Sequence, residues 1–496
     1  MLVRFQTAYT GRLMNQKLLA CRFLVTCLTL ASAILAQSQT HREDVLRRID
    51  ATKGTYEDIA LKIWGFAEVG FQETKSSALL QAQLKKEGFN VQAGVAAMPT
   101  AFTASFGSGH PIIAILGEFD ALPGVAQAAV PERSPIEGQL AGHACGHHLF
   151  GAGSSEAAVA VKDWMKATGQ KGTLRFYGTP AEEGGSGKVY MVRAGLFNDV
   201  DAVLHWHAGD RNEITMTSSL ANKSAKFRFH GIASHAAAAP EQGRSALDGV
   251  EAMDYMANMI REHVPDSTRI HYVITKGGEA PNVVPAFAEV YYYVRSPSRV
   301  INQAVFERIE KAAQGAALGT GTTVDWEIIH GAYELLPNAA LGQAMHDNLT
   351  AVGGVHYDDK EKTFAEKIGH TLAGGKAAAL ELASGIQPFD PRARPGPAST
   401  DVGDVSWTVP TVGLKTATWV PGTPAHSWQA VACGGMSIGA KGMVVAAKTI
   451  ALTAIDLFTK PELVAKGREE FEKRRGPDFK YAPLLGDRKP PLNYRN

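Results

Sequence analysis

Apolar side chains recur along the chain in two periods, one typical of amphipathic helices and one typical of buried strands. The two periods alternate over the first half of the chain and give helices at 43–68, 75–87 and 153–168 and strands at 112–116, 173–177 and 202–206. Because strands that alternate with helices usually pair in a parallel or mixed sheet, the pattern predicts a mixed sheet flanked by helices.

The pattern changes near Ser224 and predicts a second, smaller unit. Its elements follow the order β-α-β-β-α-β, with strands at 224–231, 270–276, 284–295 and 322–329 and helices at 244–262 and 300–318. This is the order of the ferredoxin-like split unit, and ~110 residues are enough for a separate domain. Helical and strand signals then return at 341–352, 409–419 and 436–458.

The prediction is therefore an α/β fold with a discontinuous catalytic domain and an inserted ferredoxin-like α+β domain. The catalytic domain is expected in two segments, 40–222 and 335–460, with the inserted domain between them at 223–334. Residues 461–496 are charged and contain proline, and we expect a surface tail there.

Residues 1–39 have the three parts of a secretory signal. Two positive charges follow Met14, an apolar run covers 23–35, and small and polar residues follow it. The run is too short for a comfortable membrane span, so we expect a cleaved signal peptide and a secreted or periplasmic protein. A membrane anchor, or a true start at Met14, is the alternative.

The composition is that of a soluble globular protein, with 45% hydrophobic and 20% charged residues. A formal net charge of +1 gives no electrostatic basis for binding nucleic acid or an anionic membrane. If the signal is removed, only Cys145 and Cys433 remain of the four cysteines, so disulfides do not build this fold.

One thiol and three imidazoles crowd residues 142–148, which read Gly-His-Ala-Cys-Gly-His-His. Imidazoles have two ring nitrogens to satisfy and make poor core, while the glycines make a poor helix, so we expect a loop. Cys145 and His147 would offer a thiolate and an imidazole, which suit zinc and similar cations. A polar loop with a chance cluster of histidines is the alternative.

Further chemically active side chains follow the predicted strands, where open α/β sheets hold their sites. Glu182 and Glu183 lie in a Gly/Pro-rich loop, and neighbours in extended chain point to opposite sides, so one could bind a metal while the other faces a water. His205 and His207 share a strand face, which leaves open which of them points into the site. His426 lies in a later loop, where a surface role is the alternative.

Glu118 and Asp120 follow the strand at 112–116. They could bind a metal, orient a histidine ligand or be plain strand-end acids. The chain has no Gly-x-Ser-x-Gly elbow and no Gly-x-Gly-x-x-Gly between a strand and a helix. The sequence therefore argues against a serine hydrolase and against a dinucleotide-binding site.

Six motifs follow one another in order along the chain: Glu118-Phe119-Asp120-Ala121-Leu122-Pro123, His143-Ala144-Cys145-Gly146-His147, Glu182-Glu183-Gly184-Gly185, His207, Gly231-Ile232-Ala233-Ser234-His235 and Pro424-Ala425-His426. This set resembles the amidohydrolase branch of the aminoacylase/carboxypeptidase metallopeptidases. Within that branch, the motifs at 205–210 and 399–407 are most similar to the aminobenzoyl-glutamate hydrolase B subgroup. The resemblance covers roughly residues 42–460.

The resemblance implies a pair of divalent cations, manganese or zinc, and a general acid/base, Glu182. Five side chains would hold the cations: Cys145, His147, Glu183, His207 and His426. Larger relatives have His-x-Asp where this chain has Glu118-Phe119-Asp120, so the first metal position depends on Cys145 and Asp120 is expected to orient a ligand. Many auxin-type relatives have Asp at the position of His148.

The resemblance also implies that the inserted domain is a lid and the dimerisation domain of a homodimer. His235 would then reach into the partner subunit's site and donate a hydrogen bond to the oxyanion of the intermediate. Asn282 and Arg295 match family positions and would bind the carboxylate of the substrate.

We therefore expect metal-dependent hydrolysis of the amide bond of a small molecule, an N-acyl or N-aroyl amino acid of the p-aminobenzoyl-glutamate kind. A broad dipeptidase, or a hydrolase of auxin conjugates or hippurate, is the alternative on the same scaffold. A non-catalytic metal- or ligand-binding relative is a third reading, although the retained Glu182 argues against it.

Overall fold

A computed structural model of the protein describes residues 40–375 and 379–495. The predicted signal peptide at 1–39 lies outside the described residues. The strands are β1 Asn90–Ala93, β2 Phe102–Ser108, β3 Ile112–Gly117, β4 Leu122–Pro123, β5 Ala141–Gly142, β6 Gly172–Gly178, β7 Ala202–Gly209, β8 Glu213–Ile214, β9 Thr217–Ser218, β10 Ala221–His230, β11 Arg269–Lys276, β12 Phe287–Ser296, β13 Thr323–Ala332, β14 Arg394–Pro395 and β15 Thr411–Ala417.

Helix α1, as far as it is described, covers 40–66. The other helices are α2 Thr74–Lys86, α3 His147–Thr168, α4 Glu182–Gly185, α5 Gly187–Arg193, α6 Ala246–Ile260, α7 Arg299–Thr320, α8 Ala339–Val352, α9 Asp359–Thr371, α10 Glu381–Ser384, α11 Val402–Ser406, α12 Trp428–Gly434, α13 Ser437–Thr459 and α14 Pro461–Arg475.

A seven-stranded sheet forms the centre of the molecule, in the order β1-β2-β6-β3-β7-β15-β8. β6, β3, β7 and β15 run parallel to one another, whereas β1, β2 and β8 are antiparallel to their neighbours. β3 is buried along its whole length, as expected of a parallel strand covered on both faces. This mixed sheet with flanking helices confirms the predicted α/β fold class.

Two long helices, α3 and α13, pack against each other and against the parallel strands. Among the described residues, α13 is the one helix long and apolar enough to cross a membrane. The most apolar stretch of α13 is 83% buried inside the protein, so its apolar side chains contribute to the core.

The second sheet has the antiparallel order β11-β12-β10-β13, and α6 and α7 pack on it. Its apolar core, built around Phe227, Tyr292 and Phe306, forms a cluster of its own. This is the strand order of the ferredoxin-like split unit; β10 begins three residues before its predicted start and β13 ends three residues after its predicted end. The domain boundaries, and the role of this unit as a lid or dimerisation domain, stay predictions.

The structure differs from the sequence prediction at three places. α3 begins at His147, six residues before the predicted helix, because Gly146 takes a left-handed conformation (φ 75°) that ends the preceding loop. α9 was not predicted, although Asp358 and Glu361 form a capping box at its start. α14 lies where a surface tail was expected. Only Gly467 and Phe471 of this helix are buried, so its sequence lacks the apolar stripe by which an amphipathic helix is predicted.

Candidate metal centre

The candidate centre lies where the parallel strands end. β3 leads to Asp120, β6 to the Glu182–Glu183 turn and β15 to the loop that carries His426, while His207 lies near the end of β7. Cys145 and His147 come from the segment that opens α3. The carboxyl ends of parallel strands share one edge of a sheet, which explains how side chains far apart in the sequence meet.

Metal-ligand atoms approach one another in three overlapping groups. The groups are Cys145 with His147 and His207, Cys145 with Glu183 and His426, and His147 with Glu182 and Glu183, and the ligand atoms of each group lie within 4.8 Å of one another. The Cys145 Sγ is 3.4 Å from His207 Nε2, and His426 Nε2 is 3.3 Å from Glu183 Oε1. All five predicted metal ligands are therefore neighbours.

The chemistry of this donor set fits divalent cations. Glu183 Oε1 and His147 Nε2 are buried and make no aligned hydrogen bond, although Glu183 Oε1 lies 3.3 Å from His426 Nε2 and His147 Nε2 lies 3.0 Å from Glu118 Oε2. A cation bound among these atoms would lower the cost of burying them. Burial, together with His147, lowers the pKa of His207 to about 4, so its imidazole is neutral and free to bind a metal. Burial also raises the pKa of the Cys145 thiol, and a bound cation is what would turn it into a thiolate.

Asp120 orients two of these side chains. One carboxylate oxygen lies 2.9 Å from His147 Nδ1, and the other accepts a hydrogen bond of 2.9 Å from the backbone N–H of Glu183. Although burial opposes ionisation, the neighbouring His147 lowers the pKa of Asp120 to about 2. Of the roles that the sequence left open, the geometry favours that of an orienting carboxylate.

The Glu182–Glu183 turn is strained. Ala181 and Ser186, on either side of it, have φ angles of 57° and 60°, and Gly184 has 85°. Such angles in residues other than glycine persist only where the surroundings enforce them. Here Glu73, buried beneath the turn, accepts a hydrogen bond of 2.8 Å from the N–H of Ala181.

Glu182 and Glu183 occupy different surroundings. Glu183 belongs to two of the three ligand groups and lies beside His426, whereas Glu182 belongs to one. Removal from water, and then the charge of Glu183, raise the pKa of Glu182 well above its usual range. A carboxyl group with a raised pKa binds a proton more readily than an ordinary glutamate does, as a general acid/base must.

A buried charge network lies beside Glu182, and no sequence motif predicts it. Lys188 is fully buried, and its Nζ lies 2.6 Å from Glu118 and 2.7 Å from Asp401. Burial favours the neutral amine, but these two carboxylates raise the pKa of Lys188 and keep it charged. The Gly-Ser-Gly-Lys sequence around Lys188 does not predict that the lysine is buried or that it pairs with Glu118 and Asp401. Both carboxylates are distant in sequence and become its neighbours only in the folded protein.

Two of the three imidazoles at 142–148 are structural, which corrects the expectation that they make poor core. His143 and His148 are fully buried, and each has its Nε2 3.1 Å from a backbone carbonyl, that of Ile63 and that of Gly434 respectively. Burial lowers the pKa of His148 to about 3, so the ring is neutral. His205 likewise packs in the core against Gly413, whereas His207 faces the ligand groups.

The remaining predicted residues lie on the inserted unit. His235 is exposed, and its Nδ1 accepts hydrogen bonds of 3.2 and 3.1 Å from the N–H groups of Ala237 and Ala238. This leaves Nε2 as the protonated nitrogen, which can donate outward. The carbonyl of Asn282 accepts from the N–H of Ala236, so Asn282 is adjacent to His235. Among the described residues, neither makes a hydrogen bond to the candidate metal centre.

Arg295 lines a separate cavity of about 480 Å³ between the inserted sheet and the catalytic segment. The cavity is also lined by Leu220, Arg269, His271, Tyr293 and Pro397. The Arg295 Nε is buried without a hydrogen-bond partner, and its guanidinium lies 5.5 Å from the centre of the Tyr293 ring. The cavity therefore offers cationic groups to an anionic ligand.

A mixed α/β sheet with thiol, imidazole and carboxylate donors at its carboxyl edge, beside a buried glutamate of raised pKa, defines a hydrolase of the metallopeptidase class. The chain belongs to peptidase family M20/M25/M40, whose sequence model matches residues 114–432. This confirms the resemblance drawn from the six motifs.

Relatives and solved structures agree with this membership. The B-type subunit of p-aminobenzoyl-glutamate hydrolase from Escherichia coli is 42% identical over 449 residues, which cover 86% of this chain and 93% of the relative. The Xaa-Arg dipeptidase of Mus musculus is 28% identical over 454 residues, covering 88% and 93%. A Bacillus subtilis structure described as a dinuclear metal-binding M20 peptidase has the same fold, with TM-score 0.54, 18% identity and coverage of 83% and 99%.

Proposed function

We propose that this protein is a metal-dependent amidohydrolase that cleaves the amide bond of an N-aroyl or N-acyl amino acid, with p-aminobenzoyl-glutamate as the leading substrate. The observation that carries the proposal is the set of five converging donors beside Glu182. The 42% identity to one subunit of a p-aminobenzoyl-glutamate hydrolase supports the substrate class.

Cys145, His147, Glu183, His207 and His426 would hold two divalent cations, either zinc or manganese. Such cations, when bound, polarise the scissile carbonyl and make a water acidic enough to attack near neutral pH. Glu182 takes the proton of that water and delivers it to the nitrogen of the leaving amine. Asp120 keeps the His147 ring and the Glu183 backbone in place, and Lys188 holds Glu118 and Asp401 beside them.

Arg295 is the proposed contact for the substrate carboxylate, with Asn282 as a second polar group. The cationic cavity around Arg295 supports this, because a guanidinium binds a carboxylate with two parallel hydrogen bonds. Arg295→Ala should raise KM for substrates with a free carboxylate far more than KM for their amides. The exposed Lys276→Ala on β11 is the matched control, and an equal rise for both substrate types would refute the contact.

We propose a homodimer formed through the inserted unit, and an exported protein whose signal peptide covers 1–39. The E. coli relative is named as one subunit of its hydrolase, which makes a complex with a second, different chain the alternative. Sedimentation of the purified chain decides between a dimer and a monomer that needs a partner. Amino-terminal sequencing of the protein from the native host tests export, since an intact amino terminus would contradict cleavage.

A panel of amides tests the proposed activity. The panel comprises p-aminobenzoyl-glutamate, hippurate, indoleacetyl amino acids and simple dipeptides, assayed with added manganese or zinc and again after chelation. We expect the highest kcat/KM on p-aminobenzoyl-glutamate, loss of turnover on chelation, and recovery when the metal is returned. A preference for dipeptides would favour the dipeptidase alternative, which the 28% identity to an Xaa-Arg dipeptidase supports. No turnover on any amide by metal-loaded protein would contradict an amidohydrolase.

A further inference from the structure

The end of the chain returns to the candidate active site. Residues 476–495, called here the C-terminal strap, leave α14 and contact the inserted sheet and both segments of the catalytic domain. Tyr481 donates a hydrogen bond of 2.8 Å to Asp404 in the second catalytic segment. Arg488 then donates to the Ile329 carbonyl on β13 at 2.8 Å and forms an ion pair of 2.7 Å with Glu327.

The last described residues of the strap bind the turn that carries the two glutamates. The Tyr494 hydroxyl donates a hydrogen bond of 2.9 Å to the backbone carbonyl of Glu183. The Arg495 guanidinium donates to the same oxygen. Just before them, the Leu492 carbonyl accepts a hydrogen bond of 2.7 Å from Gln72, which fixes the approach of the strap.

Glycines make the space that the Tyr494 side chain fills. A Cβ at Gly70 would lie 2.4 Å from the Tyr494 hydroxyl, and one at Gly185 would lie 3.2 Å from it. The ring also packs edge-on against Phe71, with 5.7 Å between ring centres and 73° between planes. The Tyr494 hydroxyl therefore lies in a groove that any residue larger than glycine at position 70 would fill.

The strap completes a clamp on Glu183, which lies within the strained turn. Asp120 holds the N–H of Glu183 from one side, and Tyr494 and Arg495 hold its carbonyl from the other. Glu183 lies between Ala181 and Ser186, whose φ angles of 57° and 60° need contacts from outside the turn to stay in place. Because Glu182 and Glu183 are adjacent, the orientation of the Glu183 backbone affects where both carboxylates point.

We propose that Tyr494 and Arg495 are positioning residues for Glu182 and Glu183, so that the C-terminal strap is part of the active site. The inference rests on the proposed amidohydrolase function for its effect on turnover, but the clamp itself is independent of that function. Misplacing catalytic groups by about 1 Å can cost ~100-fold in rate.

Steady-state kinetics on the full-length, metal-loaded enzyme give the first test. We expect the double variant Tyr494→Phe/Arg495→Met to lose ~10- to 100-fold in kcat on p-aminobenzoyl-glutamate, with KM within about twofold of wild type. Arg495→Lys should retain more kcat than Arg495→Met, since it keeps one donor. Asn493→Ala, an exposed neighbour in the same segment, is the control and should match wild type.

Hydrogen–deuterium exchange on the metal-free protein gives a readout that does not need activity. The amides of Glu183 and Gly185 are bonded to Asp120 and to the Ala181 carbonyl, and should exchange faster in the double variant but not in Asn493→Ala. The single variants Tyr494→Phe and Arg495→Met each remove one donor to the Glu183 carbonyl, should give smaller rises at the same amides, and serve if the double variant does not fold. Unchanged exchange and unchanged kcat would overturn the inference.

The two experiments separate the two proposals. If wild type hydrolyses no amide but exchange at the turn still rises in the variants, the clamp stands and the proposed function fails. If wild type is active and the double variant keeps full kcat, Tyr494 and Arg495 do not position the glutamates. A rise in KM alone would likewise contradict positioning, because it would indicate a substrate contact instead.

Discussion

Three of the five donors in the candidate metal centre have a neighbour that fixes their direction. The His147 ring lies against Asp120, the His207 Nδ1 lies 2.8 Å from the Ala208 carbonyl, and Glu183 is held through its backbone. The resemblance to a known family supplied the five donors, whereas ligand chemistry alone limited the choice to Cys, His and carboxylates and left His205 and His207 undecided. Apart from Asp120, the groups that orient the donors could not be predicted in this way, because neither a backbone carbonyl nor the hydroxyl of Tyr494 belongs to a recognisable sequence motif.

Cys145 provides a prediction at the scale of one residue. A metal-bound thiolate is shielded, so Cys145 should resist alkylation in the metal-loaded protein and react after chelation. Cys433 is fully buried and serves as an internal control that should be unreactive in both states. Peptide mapping of the alkylated protein distinguishes the two thiols. Alkylation of Cys145 at one rate in both states would count against its role as a ligand.

At the scale of elements, the position of Gly146 explains why His147 and His148 lie in a helix and not in a loop. Gly146 has φ 75°, and a Cβ there would lie 2.3 Å from the Cβ of Ala208 on β7. The glycine therefore ends the loop, brings it against β7 and lets α3 begin at His147. Helix propensity treats glycine as a breaker, which is why the sequence predicted a later start.

The contact between β13 and the glutamate turn predicts a pH effect on stability. His330 on β13 has Nδ1 2.6 Å from the Ser186 hydroxyl. Burial, and then Arg295, lower the pKa of His330 to about 4, whereas an unfolded histidine titrates near pH 6.5. Between these values the unfolded chain binds a proton that the folded protein does not, so this contribution to stability falls as the pH falls from about 6.5 to 4.

Replacing His330 by asparagine should remove that contribution. The slope of unfolding free energy against pH should become smaller by about 1 kcal/mol per pH unit between pH 4.5 and 6, and the difference in slope should vanish by pH 8. Denaturant titrations at pH 4.5, 5, 6, 7 and 8 measure it. Parallel curves for wild type and His330→Asn across the acid range would contradict a buried neutral histidine.

At the scale of the whole molecule, β1, β2 and β8 at the edges of the central sheet were not predicted. The four parallel strands of that sheet and the elements of the inserted unit follow closely from periodicity, because their apolar positions repeat regularly. The C-terminal strap does not, because its contacts are single hydrogen bonds between residues far apart in sequence. Tyr494 and Glu183 are 311 positions apart, and the strap has no apolar stripe to reveal it. Long-range polar contacts of this kind require the structure.

The predicted homodimer can be tested by subunit mixing. His235 is exposed on the inserted unit with Nε2 free to donate, and we expect it to act in the partner subunit's site. Glu182→Gln and His235→Ala are each expected to be inactive. In a mixed dimer one site carries both lesions and the other carries neither, so activity should return on subunit exchange. Exchange proven by mass spectrometry without recovery would exclude a role in trans.

The division of labour between the adjacent glutamates is the basis of the proposed mechanism. Glu182→Gln should keep its metal near the wild-type content but lose turnover, because it loses the proton carrier and no ligand. Glu183→Gln should lose metal as well as turnover, while circular dichroism confirms that both variants are folded. Elemental analysis of the two purified variants is the decisive measurement. Metal retained in Glu182→Gln and lost in Glu183→Gln is the predicted result, and equal metal loss in both variants would contradict the assignment.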